Sequence, residues 1–128
     1  MNVPGIAGLE AGMAHVLATG TENILRREQE QVKHCVRGLR SLGAEVFAGP
    51  HQGGTVSFRL RMDCEEAARL LARQGIALRA GLHCAPLAHE SAGTLETGTL
   101  RVSYGMDADR RQTEALLRAV SKLEAQRS

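Results

Sequence analysis

Aromatic side chains are almost missing from this sequence: it has no tryptophan, Tyr104 is its only tyrosine, and Phe47 and Phe58 are its only phenylalanines. A chain so poor in flat side chains has little on which exposed nucleobases could stack. A large charge of one sign is missing too. Sixteen lysines and arginines stand against fourteen acids, and the arginines scatter from Arg26 to Arg127 without forming a phosphate-tracking stripe. Nucleic acid is therefore not an expected partner. Cysteine is sparse: Cys35, Cys64 and Cys84 are odd in number and show no C-x-x-C spacing, which argues against a disulfide framework and against a zinc knuckle. Reduced thiols and a cytoplasmic location are expected. Long apolar runs are lacking as well. The opening MNVPGIAGLEAGMAHVL has no basic leader, carries Glu10 and is too short to span a bilayer, so neither an export signal nor a membrane anchor is expected.

What the chain does have is the composition of an ordinary folded protein, with 43% hydrophobic and 23% charged residues over 128 positions. That length can enclose one apolar core without disulfide staples, so residues 1–128 are read as a single soluble domain. No internal repeat and no low-complexity segment interrupts it.

Ile6, Leu9, Met13, Val16 and Leu17 recur at steps of three and four, which predicts a helix that buries one face and ends at Gly20. Thr21 is placed to cap a second helix, whose buried face is marked by Leu25, Val32, Val36, Leu39 and Leu42 before Gly43 allows a left-handed exit. A short strand over residues 44–47 and the turn-rich GPHQGG lead to Val56, Phe58 and Leu60, which alternate with polar neighbours as a half-buried strand does. Asp63 with Glu66 resembles a capping box and opens a helix through Ala67, Leu70 and Leu71 to Gly75. Residues 76–80 are predicted as a strand, 84–98 as a long irregular connection, and 99–104 as an alternating strand. A last helix begins near Asp107 or Asp109 and buries Leu116, Leu117, Val120 and Leu123. This order predicts an α+β two-layer sandwich, a small, mainly antiparallel sheet with helices packed on one face.

The stretch RAGLHCAP places Arg79, His83 and Cys84 within six positions at the start of the irregular connection. A cysteine attacks as its thiolate, and nearby cations such as Arg79, His83 and His89 raise the thiolate fraction. A free cysteine is more commonly just a small buried residue, and spacing alone favours that reading. A metal site built from His83, Cys84 and His89 would leave the coordination sphere incomplete. Arg101 is the only charge in its strand, where its guanidinium offers a rigid fork for a carboxylate or merely solubilises one face. His15, His34 and His51 carry no functional signal.

Taken together, VPGIAGLEAG, GGTVSFRL and GIALRAGLHCAPLAHESAGTLETGTLRVSYG, followed by an amphipathic helix, resemble the C-terminal small domain of class V aminotransferase-like cysteine desulfurases and selenocysteine lyases. The resemblance runs over residues 2–126, and R-A-G-x-H-C-A with the downstream G-T-x-R-V-S is its most specific part. It implies the small domain of a fold-type I pyridoxal phosphate enzyme that takes sulfur from L-cysteine, leaves L-alanine and holds the sulfur as a persulfide. By that resemblance Cys84 matches the nucleophile, Arg101 the arginine that grips the substrate carboxylate, and Arg79 and His83 neighbours of the substrate. The resemblance also implies a large domain that carries the cofactor lysine, a homodimeric whole and a sulfur-acceptor protein. Lys33 and Lys122, the only lysines, stand in no cofactor-lysine context, so the chain is expected to be inactive by itself and to bind no pyridoxal phosphate covalently. The competing expectations are a non-enzymatic interaction module and a stand-alone sulfur-carrier thiol.

Overall fold

The structure is a computed structural model that describes residues 1–127. Helix α1 (Val3–Thr19) begins with Pro4 in its first turn, where no amide hydrogen is needed, and the Asn2 side chain accepts from the Gly5 amide. Gly20, with φ of +88°, ends α1 and serves as the N-cap of α2 (Thr21–Ser41). Thr21 is thus the first helical residue of α2 and does not cap it, because the left-handed turn at Gly20 already redirects the chain. Gly43, with φ of +84°, provides the expected exit.

Strands β1 (Glu45–Phe47) and β2 (Thr55–Arg59) pair antiparallel around the GPHQGG turn. Helix α3 (Cys64–Ala72) starts where the Asp63 carboxylate accepts from the Glu66 amide, which is half of a capping box. Strand β3 (Arg79–Gly81) is shorter and later than the expected 76–80, because its length is set by antiparallel pairing with β4 (Thr99–Ser103): Arg79 lies opposite Arg101 and Gly81 opposite Thr99. The connection predicted to be irregular contains a seven-residue helix, α4 (Pro86–Ala92), closed by left-handed Gly93. Helix α5 (Arg110–Ala125) opens with a complete capping box between Asp109 and Gln112. The Asp109 carboxyl is held below its ordinary range, first by the Gln112 amide and then by Arg111.

The four strands form one antiparallel sheet in the order β1-β2-β4-β3. Helices α2, α3 and α5 cover one face of it, as a two-layer α+β sandwich requires. Val56 and Phe58 of β2 and Leu100 and Val102 of β4 point into that layer, where they meet Leu39, Leu71 and Val120. A partly buried polar chain also ties the layers. The Tyr104 hydroxyl donates to Thr113 at 2.7 Å, and the Thr113 hydroxyl donates to Gln31 at 2.8 Å, joining the end of β4 to α5 and α2. Burial pushes the Tyr104 phenol well above its ordinary value and raises the neighbouring Cys35 thiol.

Helix α1 departs from the expected pattern. It packs against α2, yet none of its residues is buried, and the stripe expected to face the core is open: Ile6 is 54% exposed, Leu9 64% and Leu17 76%. Helix α2 has closed the core beneath it, so the apolar stripe of α1 has no surface of this chain to meet. Among the described residues no helix is long and apolar enough to cross a membrane.

Candidate functional site

Alternation along a strand sends every second side chain to the far side of the sheet. Leu100 and Val102 enter the core, so Thr99, Arg101 and Ser103 face away from α2, α3 and α5. Pairing then sets a row across this second face: Phe47 opposite Ser57, Ser57 opposite Arg101, Arg101 opposite Arg79. Two guanidinium-bearing residues directly opposed on neighbouring strands repel each other. Neither has an ion-pair partner among the described residues, since the three ion pairs present join Arg59 to Glu45, Arg110 to Glu114 and Arg111 to Asp109. The Arg101 Nε is buried with no hydrogen-bond partner. An unpaired donor of this kind costs stability unless an anion completes it.

Cys84 follows this row along the chain, in the turn that leaves β3. After β3 the chain reverses over residues 82–85, closed by a bond from the Ala85 amide to the Leu82 carbonyl at 3.0 Å. His83 and Cys84 occupy the two central positions with φ of +53° and +59°, the left-handed pattern of a type I′ turn. Asn and Gly are the residues that suit such positions, and for larger side chains each costs about 1–2 kcal/mol. The Cys84 side chain is exposed, whereas Cys35 and Cys64 are buried, so the small-buried-residue reading of Cys84 does not hold.

Two threonines hold the surroundings of the turn. The His83 Nε2–H donates to the Thr99 carbonyl at 3.1 Å and lies 3.2 Å from its hydroxyl. A carbonyl only accepts, so Nε2 carries the hydrogen and Nδ1 has the lone pair, buried and unpartnered. Burial first, then the nearby Arg101, His89 and Arg79, lower the His83 pKa, and the bond to Thr99 only partly opposes them, which favours the neutral ring. The His89 Nδ1 meets the Thr94 hydroxyl at 2.7 Å, and the two imidazole rings lie 5.9 Å apart. Both histidines are thus engaged by threonines, and no group of three or more metal-ligating side chains converges among the described residues.

The sequence singles out Arg79, His83, Cys84 and Arg101, and the structure pairs Arg79 opposite Arg101 with His83 and Cys84 in the turn after β3; nothing in the sequence assigns a role to Thr94, and Thr99 has only a place on the same face as Arg101. A threonine that orients a histidine has no spacing signature, because the contact depends on how α4 folds back over the sheet.

The family model for class V aminotransferases matches residues 1–116. Among curated proteins, a probable cysteine desulfurase of Xylella fastidiosa is 30% identical over 95% of this chain and 30% of its own length. A cysteine desulfurase of Synechococcus elongatus is 33% identical over 96% of this chain and 20% of its own. In solved structures, the apo cysteine desulfurase of Thermococcus onnurineus superposes with a TM-score of 0.87 at 27% identity, covering 95% of this chain and 31% of that one. A cysteine desulfurase of Escherichia coli in an S-sulfonic acid form gives a TM-score of 0.86, also at 27% identity, over 98% and 31%. The chain thus spans about a third or less of the proteins it matches. With the expected α+β fold present and a family model covering nearly its whole length, the chain belongs to the class V aminotransferase family.

Proposed function

We propose that this chain is the nucleophile-bearing domain of a pyridoxal phosphate-dependent cysteine desulfurase. The observation that carries the reading is the unpaired Arg79–Arg101 row followed along the chain by an exposed cysteine on a strained turn. Arg101 binds the substrate carboxylate with its planar fork, Arg79 adds positive potential, and neutral His83 borders the substrate. The Cys84 thiolate takes the sulfur. In balance, L-cysteine and the Cys84 thiol become L-alanine and a Cys84 persulfide: the substrate's C–S bond breaks, an S–S bond forms, and the thiol proton replaces sulfur on carbon. The persulfide then passes to a sulfur-acceptor protein.

Pyridoxal phosphate supplies the electron sink for breaking that C–S bond. This chain's residues do not fit as its anchor: Lys33 on α2 and Lys122 on α5 are exposed on the helices that cover the opposite face of the sheet. A large domain would hold the cofactor, and the whole would work as a homodimer. The chain alone is inactive. Mixed with a separately produced large domain, pyridoxal phosphate, L-cysteine and a reductant, it should yield sulfide and alanine. No product, or product undiminished by Cys84→Ser, overturns the reading.

A second reading, a non-enzymatic interaction module, is favoured by the open apolar stripe of α1. It predicts that the chain binds a partner or itself through α1 with no need of Cys84. Sedimentation of the chain and of a Leu9→Glu, Leu17→Glu variant separates the two, since self-association lost in the variant, without any desulfurase activity on mixing, supports the module.

A further inference from the structure

A turn with two left-handed non-glycine residues persists only where its surroundings over-determine it. For residues 82–85 the restraints visible on either side are β3, which ends at Gly81, and α4, which begins at Pro86. Helix α4 is a poor anchor by itself. It has seven residues, no side-chain cap at its start, and a single buried residue, His89. So short a helix does not hold its shape in water without help. Packing does not supply the help either, because a cavity of about 150 Å³ lies between α4 and the sheet, lined in part by Phe47, Ser57, Ala88 and Ala92.

Polar contacts remain. His89 meets the hydroxyl of Thr94, which is 1% exposed, and the Thr94 amide returns to the His89 carbonyl at 2.8 Å, so α4 and the chain beyond it are stitched at one point. The His89 ring lies against His83, which is tied to Thr99 at the start of β4. We propose that His89 and Thr94 are positioning residues: with His83 and Thr99 they form a two-histidine clamp that holds the Cys84 turn in its left-handed conformation. The clamp matters to catalysis only if Cys84 is the nucleophile proposed above, but its existence does not depend on that reading.

Hydrogen exchange at single amides of this chain tests it without cofactor or substrate. Thr94→Val keeps the shape and removes the hydroxyl, and it should speed exchange of the Ala85 amide roughly tenfold or more. His89→Ala should do the same. Thr94→Ser, which restores the hydroxyl, should return Ala85 to the wild-type rate, and the interior amides of β2 and β4 should be unchanged throughout. The clamp is overturned if Ala85 exchange is unchanged while the Thr94 amide loosens, or if Thr94→Ser behaves like Thr94→Val. Should Thr94→Val also loosen the sheet, His89→Phe decides: it keeps a ring against His83 but cannot meet the Thr94 hydroxyl, so faster exchange at Ala85 supports the clamp and wild-type protection overturns it. Failure here leaves the desulfurase reading intact, and failure of sulfide production leaves the clamp intact.

Discussion

Successive residues of β4 meet opposite environments. Leu100 and Val102 are sealed beneath α2, α3 and α5, in a core where side chains touch on every side. Arg101, between them, stands on the other face in a row with Phe47, Ser57 and Arg79, its Nε unpartnered and an arginine directly across from it. One face of the sheet stores stability and the other keeps unsatisfied charge. A protein that holds a costly arrangement on one side of a strand needs a well-packed one on the other.

Phe58→Ala empties the centre of the packed face and should cost about 3–5 kcal/mol in urea unfolding. Gly98→Ala acts at the entry to β4, where φ is +65° and a Cβ would lie 2.9 Å from the Gly81 carbonyl oxygen; a loss on the order of 1–3 kcal/mol is expected. Arg101→Ala removes a buried unpaired donor and the charge opposite Arg79, so it should leave the chain as stable as the parent or more stable, by up to about 1–3 kcal/mol. In the joined enzyme the same change should lower sulfide production about a hundredfold or more, the effect of removing a charge-assisted carboxylate contact of roughly 3 kcal/mol. A large stability loss from Arg101→Ala, equal to that from Phe58→Ala, would break the division between the faces.

The smallest effect concerns pH. His83 has a folded pKa below its ordinary value near 6.5, so the unfolded chain binds this proton more readily. Stability therefore falls as pH drops through that ordinary value and levels off below the folded one. His83→Gln should show a shallower loss of stability between about pH 7 and pH 5 than the parent, and an equal slope would contradict the assignment. Asp109 also loses its stabilising bonds on protonation, but at the lower pH of a carboxylate.

The packed face was legible in the sequence because periodicity reports burial: Val56, Phe58, Leu100 and Val102 alternate, and Leu116, Val120 and Leu123 recur at helical steps. The same rule gave α1 as a helix but misjudged its surroundings, since a stripe signals something to be covered and not what covers it. Helix α4 was invisible because its buried residue is a histidine and PLAHESA has no apolar repeat. The limits of β3 were missed because Ile76 and Leu78 resemble a strand, while hydrogen bonding to β4 begins only at Arg79. On the open face the sequence draws attention to Cys84 and Arg101 by their chemistry, and gives no sign of the threonines that meet His83 and His89.

The most direct test of the account is to locate the sulfur. The chain is joined to a large domain with pyridoxal phosphate, given one round of L-cysteine without reductant, alkylated and mapped by peptide mass. One additional sulfur is expected on the peptide containing Cys84 and none on those containing Cys35 or Cys64. Extra sulfur on Cys35 or Cys64, or alanine formed with no persulfide on Cys84, would contradict it.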